Sequence, residues 1–144
     1  MDRGGGLAWW GLRTDRIEEL AARAGAELIP GTIQDPDGTT QDLGPALLPP
    51  DDHNGALPFF CQYAEDLAER ARVWGERFAR AAHPSGALSF AWVEVAVDES
   101  VLRDWVMESS IPVRVGSGVD GIKGIGLATA EGEIVIRDEH PGSA

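Results

Sequence analysis

This sequence predicts an α+β fold made of two β-α-β-β-β units, and three observations carry that reading. Leu7-Ala8-Trp9-Trp10-Gly11-Leu12 lines up with Phe90-Ala91-Trp92-Val93-Glu94-Val95, and Asp15 then lines up with Asp98. Each stretch runs into a helical pattern and then into three short strand patterns, so the order of elements repeats along with the residues. A polar segment with helical periodicity joins the two halves. Repeats spaced this widely point to duplication of a supersecondary unit, because solenoid repeats are shorter and more numerous.

In the first unit, Leu7 to Arg13 reads as a strand of aromatic and apolar residues. Asp15 with Glu18 fits a helix N-cap and its return partner. Ile17, Leu20, Ala21 and Ala24 then form one apolar stripe, and Gly25 supplies the stop. Residues 27–33, 41–48 and 57–63 are strand patterns. Asp35-Pro36-Asp37-Gly38 is a hairpin turn, and Pro49-Pro50-Asp51-Asp52 opens a loop. The segment from Ala64 to Ala82 carries Leu67, Ala71, Trp74 and Phe78 at helical spacing among charged residues, which predicts an amphipathic connecting helix. His83-Pro84-Ser85-Gly86 ends it. The second unit starts with the alternating strand Phe90 to Val97. A short helix follows from Glu99 or Ser100, with Pro112 just beyond its end. Residues 113–115, 122–130 and 132–137 read as three further strands. The whole is one domain over 1–144, with a first unit at 7–63, a connecting segment at 64–87 and a second unit at 88–137.

Composition narrows the function classes. The chain has 144 residues, a formal net charge of −12 and 43% apolar residues. That is enough apolar material for one core. The acidic excess argues against a nucleic-acid groove or an anionic membrane surface as partner, because both need clustered cations. Met1 to Gly6 has no signal-peptide pattern and no apolar run is long enough to span a bilayer, so the expected location is the cytoplasm. The lone Cys61 excludes an internal disulfide and a Cys-rich zinc site, and its apolar neighbours make it an inert thiol. His53, His83 and His140 are far apart with no metal-ligand spacing. Gly116-Ser117-Gly118-Val119-Asp120-Gly121 has the G-x-G-x-x-G spacing, but an alternating strand follows it where a dinucleotide site needs a helix. It reads as a hairpin. No G-x-S-x-G elbow is present.

Strand alternation selects candidate site residues. In Phe90 to Val97, the set Ala91, Val93, Val95, Val97 suits a face under the helix. The set Phe90, Trp92, Glu94, Ala96 mixes aromatics with a carboxylate and suits a ligand face. In the first strand Trp9 falls at the position matching Trp92, and the two would meet across a pseudo-twofold axis. In 57–63 the lone polar Gln62 marks the face it shares with Phe60. Trp9, Trp92 and Phe60 are therefore expected as apolar walls of a ligand site, with Glu94 and Gln62 as polar orienters. Glu94 is also the best catalytic candidate, since a carboxylate in an apolar strand needs water or a partner; Arg13 and Arg137 are the candidate partners.

Several segments resemble the glyoxalase-like domain proteins of the vicinal oxygen chelate superfamily. Gly6-Leu7-Ala8-Trp9-Trp10-Gly11-Leu12-Arg13-Thr14-Asp15 is similar to their strand-to-helix entry, and Asp35-Pro36-Asp37-Gly38-Thr39 to their P-D-G-T turn. Leu57-Pro58-Phe59-Phe60-Cys61-Gln62-Tyr63 resembles their P-F-[FL]-I-[QED]-W strand, and His83-Pro84-Ser85-Gly86-Ala87 their H-P-x-G opening. The resemblance implies a half-barrel sheet with helices outside, a small molecule held in the cleft between the units, and a homodimer. Members of that group usually carry a further unit ahead of the one beginning here at Leu7, which implies a short variant or the later part of a longer chain. Superfamily enzymes place metal ligands at positions that fall here near Leu7, Trp92, Gln62 and Val135 or Ile136. Only Gln62 among these can ligate. No cofactor is therefore expected, and a divalent metal would lack most of its ligands. Two other activities remain open under the same resemblance. One is a metal-dependent lyase, isomerase or dioxygenase completed by a partner subunit or an absent N-terminal unit. The other is an antibiotic-sequestering resistance protein, which the negative charge would suit for a cationic drug.

Overall fold

The computed structural model describes residues 7–63, 66–80, 84–106, 109 and 111–138. Met1 to Gly6, His83, His140 and the expected helix ends Ala64 and Ala82 lie outside the described residues. The chain runs β1 Gly11–Arg13, α1 Ile17–Ala24, β2 Ile29–Gln34, β3 Thr40–Leu47, β4 Phe59–Cys61, α2 Leu67–Arg80, β5 Ala87–Ala96, α3 Glu99–Trp105, β6 Val113–Val115, β7 Gly121–Thr129 and β8 Gly132–Arg137. The β-α-β-β-β order thus occurs twice in an α+β fold, and each set forms its own open four-stranded sheet. None of the helices, among the described residues, is long and apolar enough to cross a membrane.

The two sheets do not share a strand order. The first is β1-β4-β3-β2, with β4 inserted parallel to β1. The second is β6-β5-β7-β8, with β5 flanked by β6 in parallel and β7 in antiparallel. The repeat is therefore one of element order, and equivalent strands have different neighbours. The Gly116 to Gly121 segment consequently is not a hairpin. It joins β6 to β7 on opposite sides of β5, and no helix follows it.

Packing divides the chain in a way that cuts across the repeat. One compact unit takes the described residues of Gly11–Leu48 and Phe59–Pro84. Its core is a row of Leu12, Phe60 and Leu47, aligned across β1, β4 and β3, with Ile17, Leu20 and Ala21 of α1 also buried. Ala24, the last residue of the expected stripe, is exposed. Asp15 does not cap α1. The cap residue is Arg16, which makes no side-chain cap bond, and Gln62 Oε1 instead accepts from the first helical amide, Ile17 N–H, at 3.1 Å. Gly25 ends the helix in the left-handed conformation at φ 61°.

The other compact unit takes the described residues of Met1–Trp10, Pro49–Pro58 and Ser85–Ala144. The 49–58 loop is thus grouped with the second sheet and α3, and side-chain contacts hold it. Trp105 Nε1 on α3 donates to Pro58 O at 2.7 Å, and Trp10 Nε1 donates to Ala56 O at 3.1 Å. His53 Nδ1 lies 2.7 Å from Asp120 Oδ2. The turn that presents His53 is unusual, because His53, Asn54 and Gly55 are all left-handed, at φ 50°, 56° and 81°. Non-glycine residues adopt that region at a cost of about 1 kcal/mol or more each. At Gly55 a side chain is also sterically barred, since a Cβ would lie 2.2 Å from Ala8 O. On α3, Asp98 accepts from Ser100 N–H at 2.8 Å, and hydrogen bonds from the Ser100 hydroxyl and amide hold its carboxyl below the usual aspartate value.

Register across the second sheet corrects the expected faces of its first strand. Phe90 pairs with Leu127 but Trp92 pairs with Gly126, so Ala91 is an extra residue on β5. Side chains alternate along a strand, and one inserted residue reverses the alternation beyond it. Phe90 therefore lies with Leu127 and Ile134 on the face of Val93, Ile125 and Ile136, and not with Trp92. It is 58% exposed, whereas Trp92 is 2% exposed. The Trp92 ring rests on Gly126, where a Cβ would come within 2.2 Å of its Nε1. Trp9 is not its structural equivalent. It precedes β1, which begins only at Gly11, and it is 56% exposed.

Two outcomes follow from these packings. Gly126→Ala should lower stability by roughly 1–3 kcal/mol, the usual cost of overpacking a buried ring, read as a lower denaturant midpoint. An unchanged midpoint would show that Trp92 has room to move. The His53–Asp120 contact should give a pH-dependent term. The hydrogen bond to Asp120, helped by the charges of Asp51, Asp120 and Asp52, raises the His53 pKa above its ordinary value of about 6.5. A pKa raised by folding adds stability that is complete below the unfolded value and lost as pH rises through the folded one. The melting-temperature gap between the native chain and His53→Gln should therefore be widest in mild acid and close on the alkaline side. A gap that widens with pH would contradict the assignment.

Candidate functional site

The candidate site is the Trp92 face of the second sheet. Strand register sets Arg114 of β6, Glu94 of β5, Gly124 of β7 and Arg137 of β8 in one row across all four strands. Residues level with one another across a sheet project on the same side. The next row is Trp92, Gly126 and Val135, and the one after it is Ser89, Ala128 and Glu133. The opposite face carries Val113, Val93, Ile125 and Ile136 in one row and Phe90, Leu127 and Ile134 in another. One side of the sheet is thus apolar and the other concentrates its charge around a single indole.

Three charged side chains meet that indole, and a fourth, Glu94, pairs with one of them. Arg137 Nη1 donates to Glu94 Oε1 at 2.5 Å, and its guanidinium carbon lies 5.6 Å from the centre of the Trp92 ring. Arg114 stacks more closely, at 4.1 Å. Trp92 Nε1 donates to Glu133 Oε1 at 2.5 Å. Glycine lies close on two sides. A Cβ on Gly124 would lie 3.0 Å from Ile136 O and in ordinary contact with Arg137 Nη1 and the Trp92 ring, and a Cβ on Gly116 would lie 3.3 Å from Glu94 Cγ. The indole, pressed between glycines and guanidiniums, presents almost none of its own surface. Both guanidiniums lie within cation–π range of it. The surface that solvent meets is made by Arg137, whose side chain is 52% exposed, by Arg114 and by Glu133, which are also exposed, with the Glu94 side chain at 22%.

The expected site residues are distributed between the two compact units. Trp92 and Glu94 come together, and Arg137, not Arg13, is the partner of Glu94. Trp9 belongs to the same unit. Phe60 is fully buried in the core row of the first sheet, so its side chain is a packing element and not an exposed wall. Gln62 serves as the long-range cap of α1 and borders a cleft of about 380 Å³ that Asp15, Glu18, Glu19 and Pro45 also line. Arg114 escaped sequence reasoning. Its signal was a lone cation between two valines in the strand Val113-Arg114-Val115, the pattern of a strand with one polar face. Cys61 lies apart from the cluster, and burial pushes its thiol pKa up, away from nucleophilic use.

At the positions where the resemblance implies metal ligands, the described residues offer little that could ligate a divalent ion. Of these, Leu7, Trp92, Val135 and Ile136 offer no donor suited to a divalent ion, and the Gln62 oxygen already accepts the Ile17 amide. Among the described residues, no three or more His, Cys, Asp or Glu side chains are grouped to hold a metal ion. At the Trp92 cluster, the carboxylate of Glu94 is held by a guanidinium, which opposes a second cation there.

The family model for the glyoxalase-like domain matches residues 1–108. The match thus takes in both the first β-α-β-β-β set and the β5–α3 part of the second, and it ends before Arg114 and Arg137. No curated protein and no solved structure matches the chain. With three quarters of its length matched and the element order of that fold present twice, the chain belongs to the glyoxalase-like domain family of the vicinal oxygen chelate superfamily.

Proposed function

We propose that this glyoxalase-like domain binds a small organic molecule on the Trp92 face of its second sheet, without a metal ion. The observation that carries this reading is the four-strand row Arg114–Glu94–Gly124–Arg137 above an indole seated on glycine. A solvated sheet face needs no such convergence, and long cationic side chains ordinarily lie apart to limit repulsion. Here two are drawn to one ring. Polar groups converging on a rigid aromatic support are what orients a small ligand. Glu94 supplies a hydrogen-bond acceptor and Arg114 and Arg137 supply donors, so the cluster can position a ligand that carries both kinds of group. The donor set described above supports the metal-independent form of the reading over a lyase or dioxygenase.

Binding to the native state raises stability by RT ln(1 + [L]/Kd), about 2.7 kcal/mol at a hundredfold excess over Kd. A panel of anionic, neutral and cationic aromatic compounds should therefore contain members that raise the melting temperature. The same members should shift the Trp92 indole N–H resonance, identified by its loss in Trp92→Phe. Nickel, zinc, manganese and ferrous ions should leave both readouts unchanged. A response to the metals, or a panel that never moves the Trp92 resonance, would overturn the reading.

A further inference from the structure

We infer that Arg114 anchors a carboxylate, so that the molecule bound on this face is an organic monoanion. The inference rests on the binding reading above and deepens it. The two arginines of the cluster are not equivalent. Arg137 is neutralised inside the protein, through its 2.5 Å bond to Glu94. Arg114 forms no ion pair among the described residues, and its recorded contact is the 4.1 Å stack on Trp92. Stacking holds a guanidinium by its face and leaves the N–H edge directed outward. An exposed, planar, oriented fork without a carboxylate of its own matches a carboxylate in two parallel hydrogen bonds. β6 is the edge strand of the sheet, so this fork lies beside open solvent and not within a covered interior.

Charge decides between the oxyanions that would fit such a fork. Glu133 bonds the indole, Glu94 pairs with Arg137 beside it, and the chain carries −12 overall. Attraction to the two guanidiniums and repulsion from the two carboxylates both double for a dianion and offset one another locally, so the chain's net −12 charge is what disfavours a dianionic phosphate relative to a carboxylate of charge −1. A cation meets the opposite problem, because both guanidiniums lie at the ring while Glu94 is already taken. The drug-sequestering alternative drawn from net charge therefore does not describe this face. The bulk charge of the chain is acidic, and within the cluster Arg114 is the exposed cation without an ion pair among the described residues.

The test is a titration of the full chain in low salt with benzoate, benzamide, phenyl phosphate and benzylamine, read by the Trp92 indole resonance. Benzoate should produce a saturable shift, with benzamide, its neutral isostere, at least tenfold weaker and phenyl phosphate weaker than benzoate. Arg114→Gln should lower benzoate affinity about tenfold. Arg114→Lys should recover only part of it, since a point charge lacks the planar fork. Both variants alter an exposed edge-strand side chain, and an unchanged melting temperature verifies that they fold. Binding of benzamide or benzylamine as tight as that of benzoate would overturn the carboxylate assignment while leaving the binding reading intact. So would benzoate affinity that is indifferent to Arg114→Gln. Silence from all four compounds would overturn both.

Discussion

Strict alternation of side chains along a strand is the constraint on which the second sheet depends. β5 runs through the middle of that sheet and pairs with neighbours on both sides, so each of its residues is committed to one face. The extra residue at Ala91 resets that commitment halfway along. Beyond it, Val93 and Val95 join the apolar face, and Trp92 and Glu94 join the charged one. Without the inserted residue, Phe90 and Trp92 would share a face, and a second large ring would stand beside the indole. The bulge keeps Phe90 away and leaves the neighbourhood of Trp92 to glycine and arginine. Bulges re-aim side chains in this way, at the cost of a locally broken ladder.

Glycine on the adjacent strand is the second half of the same device. An indole lying along a sheet needs the space that a Cβ would fill on the next strand, and Gly126 of β7 leaves that space open, since a Cβ there would come within 2.2 Å of the ring. Glycine inside a strand weakens it. Here the weakening is offset by burial of a large aromatic ring and by its bond to Glu133. Packing of the 49–58 loop shows the same trade on a larger scale. Three consecutive left-handed residues are held by hydrogen bonds to Asp120 and from Trp10 and Trp105 to loop carbonyls. The cost of the local backbone conformation is met by contacts with residues far away in the chain.

Much of the fold was legible in the sequence, because local chemistry is enough to place most elements. The turn at Asp35 to Gly38, the stop at Gly25, the start of α3 at Glu99 and the strands Val113–Val115 and Gly132–Arg137 each follow from a few adjacent residues. What local chemistry does not contain is the identity of the partner. Asp15 has the composition of a cap and stands in the right place, yet the α1 amide is satisfied by Gln62 on the far side of the first unit. Phe60 and Gln62 stand at strand spacing in the sequence, yet β4 ends at Cys61, and one is core and the other a cap. The pairing of Glu94 was narrowed to two arginines and then decided by which strand stands beside β7.

The sequence by itself determined the α+β class, the doubled β-α-β-β-β order, the family, and the presence of a tryptophan and a carboxylate two residues apart on one strand. These are properties of spacing, and spacing is written along the chain. Only the tertiary structure decided the different strand orders of the two sheets, the bulge at Ala91 and the convergence of Arg114 and Arg137 on Trp92. Those depend on cross-strand register, which is set by pairing between segments up to dozens of residues apart and shifts every side chain when it slips by one. The candidate site is a product of register. Its residues are ordinary in sequence and become a cluster only when four strands align them in a row.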